Sequence, residues 1–456
     1  MNSRFDDALA ALLAGPELLP GQEFIRAGAT VGEVYRLAVW LREALDEAGV
    51  ADDLVCLASE NKALVAAALL AALGGGPTLL LPYSLSAKAL EGMRQATGFT
   101  TVIADHAGEL PSGLRLIQPP TAGDLPPLPG VPVFRPAAAS RIVLRIFTGG
   151  TTGEPQIWSK TAENIMGEGM FLAQRFGVTA QDRIVATVPP FHIYGLLYSV
   201  VLPLVAGAAV IGPVPSFPGE IEQTIREHDA TLFISVPAHY RAIRERRVGG
   251  DALRLAFSSA GMLDAEDNLA FVRQNGVGVV EVYGSTETGG IATRNRSRGE
   301  SAFFPYSVVA WQVREERLAV RSPFLSPELQ LAEDRFFLFG DRVEATHSGG
   351  FHLRGRADGV TKVGGKRVDL EEIRTLIRRL PGVDDCVVLA LPESGGREHR
   401  IGVLLQGKES VVELVKKSLA GVLEPYALPR VVKAVRQLPV KPNGKYDRGA
   451  ILAALQ

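Results

Sequence analysis

The stretch FTGGTTGEPQ, residues 147–156, combines residue types that can bind a phosphate group. It follows an apolar run, residues 142–147, that predicts a buried strand. Glycines let the backbone turn tightly, and successive backbone N–H groups in such a turn form a concave anion site. We therefore predict a phosphate-binding loop, the alternative being a surface turn rich in small residues. The predicted ligands are Thr148, Gly149, Gly150, Thr151, Thr152 and Gly153.

Two common nucleotide-binding motifs do not fit this stretch. Gly153 is followed by Glu154 and Pro155, so the Gly-Lys-Ser/Thr ending of a Walker loop is missing. The glycine spacing also differs from the dinucleotide fingerprint, and the sequence predicts no helix directly behind it. The loop therefore belongs to another class of phosphate site.

Composition limits the class of protein. The chain has 456 residues, 46% of them apolar, which is enough for two or more domains with a large core. The net charge of −2 argues against nucleic-acid binding by phosphate neutralisation. Cys56 and Cys386 lie in apolar runs and predict core residues in a reducing compartment. With no signal peptide and no apolar run long enough to span a bilayer, we expect a soluble, cytoplasmic protein.

Strands alternate with helices through the first half of the chain. Apolar strands that alternate with helices indicate an α/β fold with a parallel sheet covered on both faces. A segment rich in proline and glycine, residues 111–136, predicts a connecting loop. The predicted strands are residues 54–58, 78–81, 101–104, 183–188, 231–236, 253–258 and 277–283, and the predicted helices are residues 34–45, 62–73, 87–97 and 219–228.

Small and polar residues follow several of these strands. The stretches are VPPFH, SVPAHY, SSAGM and VYGSTE. Ligands of open parallel sheets bind outside the carboxyl ends of the strands. We therefore predict that these loops surround one crevice.

The pattern changes in the second half of the chain. From about residue 294, short alternating segments predict a small antiparallel subdomain. The tail has predicted helices at 370–380 and 409–422 and predicted strands at 386–390, 401–405 and 431–435. We therefore predict two domains, residues 1–356 and a small α+β domain of residues 357–456.

Four further motifs follow the glycine–threonine loop in a fixed order. They are YGSTETGG at 283–290, FGDRVE at 339–344, GRADGVTKVGGKRVDLEEI at 355–373 and PNGKYDR at 442–448. Together the five stretches resemble the adenylate-forming superfamily of acyl-CoA synthetases, peptide-synthetase adenylation domains and luciferases. The resemblance implies an AMP-binding N-terminal domain with the ATP and acid pockets. It also implies a mobile C-terminal domain that carries the catalytic lysine.

The resemblance and the chemistry together suggest nucleotide and metal ligands. Glu287 is a carboxylate beside a predicted phosphate site, and Mg²⁺ is the oxygen-seeking cation that bridges such groups. The resemblance gives Glu287 this metal role. Asp341, which we expect at a turn between two strands, can accept hydrogen bonds from both ribose hydroxyls, the alternative being an Asx-turn. Further implied nucleotide ligands are Gly261, Tyr283, Gly284, Ser285, Thr286 and Arg356.

Lys445 is the residue best suited to the chemistry. A carboxylate and the α-phosphate of ATP repel each other, and an ammonium group between them stabilises the transition state. The resemblance implies this role for Lys445, the alternative being an exposed lysine after a turn. It also implies that Asp358 is the hinge, that Gly365 borders the path of the thiol arm, and that His192 gates the acid pocket. His192 could equally be a buried histidine with satisfied hydrogen bonds.

The chain departs from the family pattern at three positions. Gly149 replaces a serine or threonine, Gln156 replaces a lysine, and Gly359 replaces the second aspartate of the hinge motif. Lys160 can supply the charge that is lost at Gln156, the alternative being that pyrophosphate is held less tightly. These departures bear on the catalytic efficiency of the protein more than on the class of enzyme to which it is assigned.

Residues near the crevice suggest the class of acid. Amino-acid-activating members carry an aspartate at the position of His192, because an unpaired ammonium in a buried pocket is very unfavourable. We therefore expect a carboxylic acid without an α-amine, and the sequence leaves aryl and medium acyl groups open. Glycines that we expect to leave room for it are Gly195, Gly284, Gly289 and Gly290.

Basic residues suggest the acceptor of the acyl group. Lys362, Lys366 and Arg367 suit the phosphates of coenzyme A or the acidic face of an acyl carrier protein. The predicted function is an ATP- and Mg²⁺-dependent ligase that forms an acyl-AMP and then a thioester. The alternative is a non-catalytic acyl-nucleotide-binding or regulatory protein on the same fold, which would not need Lys445. An oxidoreductase is disfavoured, because no dinucleotide fingerprint occurs.

Overall fold

The computed structural model describes residues 2–15, 20–50, 54–106, 108, 110–127, 134–148, 156–356, 359–363, 366–392, 399–441 and 444–456. The chain divides into two compact units. The first comprises Met1–Val309 and Ser322–Gln330, and the second comprises Ala310–Arg321 and Leu331–Gln456. The predicted boundary after residue 356 stays a prediction, and the predicted hinge Asp358 lies outside the described residues.

A six-stranded sheet in the first unit carries the glycine–threonine loop. The strand order is β4-β3-β1-β2-β5-β6, and all neighbours are parallel except β5 and β6, which are antiparallel. The loop therefore connects two paired strands, with Thr148 opposite Gln156. Strand β4 falls in the segment predicted as a loop. The strands are β1 Leu54–Leu57, β2 Thr78–Leu81, β3 Thr101–Ile103, β4 Arg115–Ile117, β5 Ile142–Thr148 and β6 Gln156–Thr161.

A seven-stranded sheet in the same unit carries the predicted crevice loops. Its order is β13-β12-β11-β10-β9-β7-β8, with β11 to β8 parallel and β12 and β13 antiparallel. The carboxyl ends of β7, β9, β10 and β11 therefore meet at one edge. The strands are β7 Arg183–Ala186, β8 Ala209–Val210, β9 Leu232–Ser235, β10 Leu255–Ser258, β11 Val279–Ser285, β12 Gly289–Asn295 and β13 Phe304–Pro305.

Helices of the first unit pack on both sheets. The first four are α1 Asn2–Leu13, α2 Val31–Glu47, α3 Lys62–Leu73 and α4 Ala87–Thr97. The others are α5 Ala162–Phe176, α6 Ile193–Leu196, α7 Leu202–Ala206, α8 Pro218–Glu227, α9 Pro237–Ala242 and α10 Ala265–Asn275, with a π-helical turn at Leu197–Val201. Every residue of α3 is buried, as expected for a helix that is apolar on all sides.

Helix α5 lies between the two sheets and was not predicted from the sequence. It contacts β6 of one sheet and β12 of the other. Thr161 caps its first turn, with a reciprocal hydrogen bond from the side chain of Asn164. Gly167 and Gly169 weaken the helical pattern. A Cβ at Gly169 would lie 2.4 Å from Cγ1 of Val201, so close helix packing requires this glycine.

The second unit confirms the predicted antiparallel segment and the small α+β tail. An antiparallel sheet contains β14 Ala310–Arg314, β15 Arg317–Arg321, β16 Phe337–Ala345 and β17 Phe351–Arg356. The strands β18 Val360–Val363 and β19 Lys366–Asp369 pair antiparallel. The remaining elements are α11 Leu370–Arg378, β20 Val383–Pro392, β21 His399–Gly407, α12 Val411–Ala420, β22 Val431–Val435 and α13 Arg448–Leu455. Among the described helices of both units, none has the length and apolarity that a membrane crossing needs.

Candidate active site

The glycine–threonine loop is described only at its ends. Thr148 closes β5, and its hydroxyl donates to the carbonyl of Gln156, the first residue of β6, over 3.4 Å. The other predicted phosphate ligands, residues 149–153, lie outside the described residues. Their role therefore stays a prediction.

The YGSTE motif forms a tight turn between β11 and β12. The backbone N–H of Ser285 donates to the Thr288 hydroxyl at 3.1 Å, and the hydroxyls of Ser285 and Thr288 lie 2.9 Å apart. The strand register shifts between Tyr283 and Gly284, which is the signature of a β-bulge. Bulges next to binding sites change the direction of side chains. Ser285 and Thr286, two predicted nucleotide ligands, therefore lie on a turn whose geometry is fixed by its own hydrogen bonds.

Glu287 occupies the middle of this turn. Its backbone carbonyl accepts hydrogen bonds from Ser326 N at 2.7 Å and from Lys160 Nζ at 3.3 Å. Its half-buried carboxylate accepts no hydrogen bond from any other described residue. The backbone is therefore anchored while the carboxylate remains available to a ligand.

The surroundings of Glu287 fit a magnesium ion that is shared with a nucleotide. No described group of three or more histidine, cysteine, aspartate or glutamate side chains could hold a metal ion by itself. Mg²⁺ typically takes one or two carboxylates and completes its coordination with substrate phosphates and water. One available carboxylate suits that arrangement.

Lys160 is buried and binds backbone carbonyls, one of them in the YGSTE turn. Its side chain is 1% exposed, and Nζ donates to the Phe324 carbonyl at 2.8 Å in addition to that of Glu287. Burial lowers the pKa of Lys160 to about 8, opposed by the nearby carboxylates of Glu168, Glu287 and Glu328. The ammonium therefore lies beneath the Glu287 turn. Residues 149–155 lie outside the described residues, so a role of Lys160 in replacing charge at the phosphate loop stays a prediction.

Glu168 on α5 is the second buried ionisable group beneath the turn. Its Oε1 accepts a hydrogen bond from Gly290 N at 2.7 Å, and the side chain is 3% exposed. Burial raises its pKa to about 7, which Lys160 and the Gly290 N–H oppose. Sequence reasoning missed Glu168. The available signal was its place between Ile165 and Leu172, on the buried face of α5.

The four glycines expected to leave room for substrate do not do so. A Cβ at any of them would lie less than 3 Å from a backbone or side-chain atom, so close packing requires these glycines. The distances are 2.0 Å at Gly195 to Pro189 O, 2.2 Å at Gly284 to Gly289 O, 2.5 Å at Gly289 to Glu168 Oε2 and 2.7 Å at Gly290 to Tyr306 Cε2. The prediction was wrong because sequence alone does not show what faces a missing side chain.

His192 and Gly261 lie at the predicted crevice edge. His192 is half-buried at the start of α6, and its ring centroid is 4.6 Å from that of buried Phe191. Gly261 is exposed after β10. Ser259 links this loop to β11, because its hydroxyl donates to the Val282 carbonyl at 3.0 Å. Loops from three strands therefore converge here.

The predicted ribose ligand Asp341 lies within a strand of the second unit. It pairs with Arg356 across β16 and β17, at a point where the register shifts. The expected turn at Asp341 is therefore wrong: the chain continues as a nine-residue strand with a bulge. The pairing does place two predicted nucleotide ligands opposite each other on adjacent strands.

Lys445 lies in a short loop of the second unit that its neighbours fix. Lys441 N donates to the Lys445 carbonyl at 2.7 Å. The Tyr446 hydroxyl accepts from Arg374 at 3.0 Å and donates to Asp385. The Lys445 side chain itself is exposed. This loop therefore presents an ammonium group from an anchored backbone.

The hairpin of β18 and β19 carries the predicted thiol-binding residues. Lys362 pairs with Arg367 and Val363 pairs with Lys366, so the basic residues belong to one hairpin. Gly365 lies outside the described residues, as does Asp358. The roles of both stay predictions.

Comparisons with known proteins agree with this architecture. The closely similar folds include ATP-bound MatB from Rhodopseudomonas palustris, with a TM-score of 0.83, 19% identity and coverage of 100% and 99% of the two chains. A benzoate CoA ligase from Burkholderia xenovorans has a TM-score of 0.79, 21% identity and coverage of 97% and 99%. The fold is therefore that of adenylate-forming enzymes, with a large N-terminal and a small C-terminal domain.

Sequence comparison defines the family. The profile of AMP-binding enzymes matches residues 24–321, and the chain belongs to this family. A sulfoacetate–CoA ligase from Cupriavidus necator is 24% identical, covering 74% of this chain and 72% of the relative. A feruloyl-CoA synthase from Amycolatopsis is 23% identical over 95% of this chain and 96% of the relative.

Proposed function

We propose that the protein is an AMP-forming acid–thiol ligase. It activates a carboxylic acid with ATP, releases pyrophosphate and transfers the acyl group from acyl-AMP to a thiol. The observation that carries the proposal is the Glu287 turn, which presents an available carboxylate at the carboxyl edge of a parallel sheet. Binding alone would not require the exposed lysine of the PNGKYDR loop.

The first half-reaction forms the acyl-adenylate. A carboxylate oxygen of the substrate attacks the α-phosphorus of ATP, and the bond from that phosphorus to the bridging oxygen of pyrophosphate breaks. Lys445 supplies an ammonium group that stabilises the negative charge on the transferring phosphoryl group. Asp341 and Arg356 would hold the ribose, and Glu287 would hold Mg²⁺. Bound Mg²⁺ would neutralise charge on the phosphates.

The second half-reaction forms the thioester. A thiol adds to the acyl carbon, and AMP leaves with both electrons of the acyl–oxygen bond. The thiol of coenzyme A is the acceptor we favour, because the relatives named above are a CoA ligase and a CoA synthase. The phosphopantetheine arm of an acyl carrier protein is the alternative, since the basic β18–β19 hairpin suits either acceptor.

The substrate we propose is an aryl or medium acyl acid without an α-amine. His192 supports this choice, because the loop places no carboxylate at that position to pair with an ammonium group. A 3-hydroxybenzoate–CoA ligase from Aromatoleum, 25% identical over 69% of this chain and 66% of the relative, is in keeping with an aryl acid. The free, buried cysteines Cys56 and Cys386 support a proposed cytoplasmic location.

Acid-dependent exchange of pyrophosphate into ATP tests the proposal. The acids are 3-hydroxybenzoate, benzoate, ferulate, hexanoate, malonate and sulfoacetate, with phenylalanine and leucine as α-amino acids. We expect exchange with an aryl or acyl acid, none with the amino acids, and a thioester when coenzyme A or a carrier protein is added. ATP binding without exchange for any acid would favour the non-catalytic alternative.

A further inference from the structure

Two ionisable side chains are buried beneath the Glu287 turn. Lys160 is the penultimate residue of β6 and Glu168 lies on α5, and they are 1% and 3% exposed. Burying a charged group is costly unless it is paired and hydrogen-bonded. The partners of both groups therefore show what the pair holds in place.

These partners are backbone groups on both sides of Glu287. Lys160 Nζ donates to the Glu287 carbonyl at 3.3 Å, and Glu168 Oε1 accepts from Gly290 N at 2.7 Å. Ser326 N adds a second hydrogen bond to the Glu287 carbonyl, at 2.7 Å. The backbone is thus fixed at Glu287 and again three residues later.

The shape of the turn depends on the same pair. Gly289 has φ +65°, a conformation that other residues rarely adopt, and a Cβ there would lie 2.5 Å from Glu168 Oε2. Glu168 therefore fills the space on one side of the turn. On the strand that carries Lys160, Ser159 N donates to the Glu328 carboxylate at 3.1 Å. The support beneath the turn extends over β6, α5 and the segment after Ser322.

We propose that Lys160 and Glu168 are positioning residues for the metal site. They hold the backbone of the turn so that the Glu287 carboxylate meets a divalent cation bound to the phosphates of ATP. This inference rests on the proposed function, because it requires the Glu287 metal role. Outer residues that orient metal ligands typically change metal affinity about 10- to 100-fold when they are replaced.

Lys62 provides a matched control in the same unit. It is also 1% exposed, and Nζ donates to the carbonyls of Ile211, Gly212 and Pro213 at 2.6, 2.9 and 3.0 Å. None of these carbonyls belongs to the Glu287 turn. Lys62→Met therefore removes a buried ammonium and its carbonyl hydrogen bonds without touching the proposed metal site.

The experiment measures binding of Mn²⁺ to the complex with ATP by electron paramagnetic resonance, without any acid. The variants are Lys160→Met, Lys160→Arg, Glu168→Leu, Glu287→Gln and Lys62→Met. We expect about 10-fold weaker Mn²⁺ binding for Lys160→Met, Glu168→Leu and Glu287→Gln. Lys62→Met should stay within about 2-fold of the unmodified protein, and Lys160→Arg should recover part of the loss because it keeps a cationic donor.

Each outcome decides between the inference and the function on which it rests. If a single variant fails to fold, the double variant Lys160→Met/Glu168→Leu carries the test, since replacing both members of a buried charged pair by apolar side chains is often tolerated, whereas removing one leaves an uncompensated charge. Mn²⁺ binding like the unmodified protein in both positioning variants, with a loss in Glu287→Gln, overturns the inference alone. An equal loss in Lys62→Met overturns it as well. Unchanged binding in Glu287→Gln overturns the metal assignment and the inference together.

Discussion

Lys62 and Lys160 are equally buried in the first unit, but they support different kinds of backbone. Lys62 starts α3 and binds three consecutive carbonyls of residues 211–213, which carry no predicted ligand. Lys160 binds the carbonyls of Glu287 and Phe324, and Glu287 is the predicted metal ligand. A buried lysine is thus informative about function only through the backbone groups that it holds.

The charges around the two lysines also differ. Burial lowers the pKa of Lys62 to about 7, opposed by one carboxylate, that of Glu60. Around Lys160, which has a pKa of about 8, three glutamates oppose the effect of burial. The Glu287 turn is therefore held by a cation within a cluster of carboxylates. In contrast, a single carboxylate opposes the effect of burial on the pKa of Lys62. The following predictions test that contrast.

The largest effect should come from Lys445, whose side chain is exposed, unlike those of the two buried lysines. Lys445→Ala should lower acid-dependent pyrophosphate exchange by about 100- to 1,000-fold, the usual cost of removing a group that stabilises transition-state charge. Lys441→Ala is the matched control, because Lys441 lies in the same loop and is exposed too. Equal activity of the two variants would remove the catalytic assignment.

The second largest effect concerns Glu287, whose backbone is held by Lys160. Glu287→Gln should raise the Mg²⁺ concentration needed for half-maximal exchange by about 10- to 100-fold, since a charge-assisted interaction is lost. The measurement is a Mg²⁺ titration at fixed ATP. Lys62→Met is a useful control, because the carbonyls that Lys62 binds lie outside the Glu287 turn. Identical titrations for Glu287→Gln and the unmodified protein would contradict the metal role.

Replacement of Lys62 should lower the stability of the protein without lowering its activity. Lys62→Met leaves three carbonyls without this donor, one of them buried, and it should lower the free energy of unfolding by about 1–3 kcal/mol. Urea unfolding measures this loss, while the KM for ATP should not change. A change in the KM for ATP as large as that of Lys160→Met would show that the two lysines do not differ in kind.

The smallest effect is a pH dependence of stability at Lys62. Its pKa is about 7 in the folded protein, against an ordinary value of 10.5, so the unfolded chain binds more protons between these values. The stability that this group contributes is complete above pH 10.5 and is lost as the pH falls through about 7. The unmodified protein should therefore gain stability relative to Lys62→Met as the pH rises from 7.5 to 9.5. A flat or falling difference in urea unfolding would contradict this assignment.

The sequence predicts those elements best whose ends carry strong local signals. Helix α3 runs over the predicted residues 62–73, because Asn61 caps an unbroken apolar segment. Helix α4 does the same over 87–97, between the Ser86 cap and the left-handed Gly98. Tertiary contacts decide the remainder. Helix α5 forms despite two glycines, and Asp341 lies in a strand rather than a turn because β17 pairs with it.

The candidate site divides in the same way. Motifs with local meaning, such as the YGSTE turn at the end of β11, are visible in the sequence. The support beneath the turn is not visible, because Lys160 and Glu168 reach it from a strand and a helix that are more than 100 residues away along the chain. The glycines of the motif likewise serve packing against Glu168 and Tyr306, which only the fold reveals.

Transfer of isotope from the acid to the nucleotide tests the central claim most directly. The preferred acid, labelled with ¹⁸O in its carboxyl group, is incubated with ATP, Mg²⁺, the acceptor thiol and the protein, and the nucleotide product is analysed by mass spectrometry. Attack of the carboxylate on the α-phosphorus predicts AMP that carries one ¹⁸O atom for each thioester formed. Unlabelled AMP, or ADP accompanied by labelled phosphate, would contradict the formation of an acyl-adenylate.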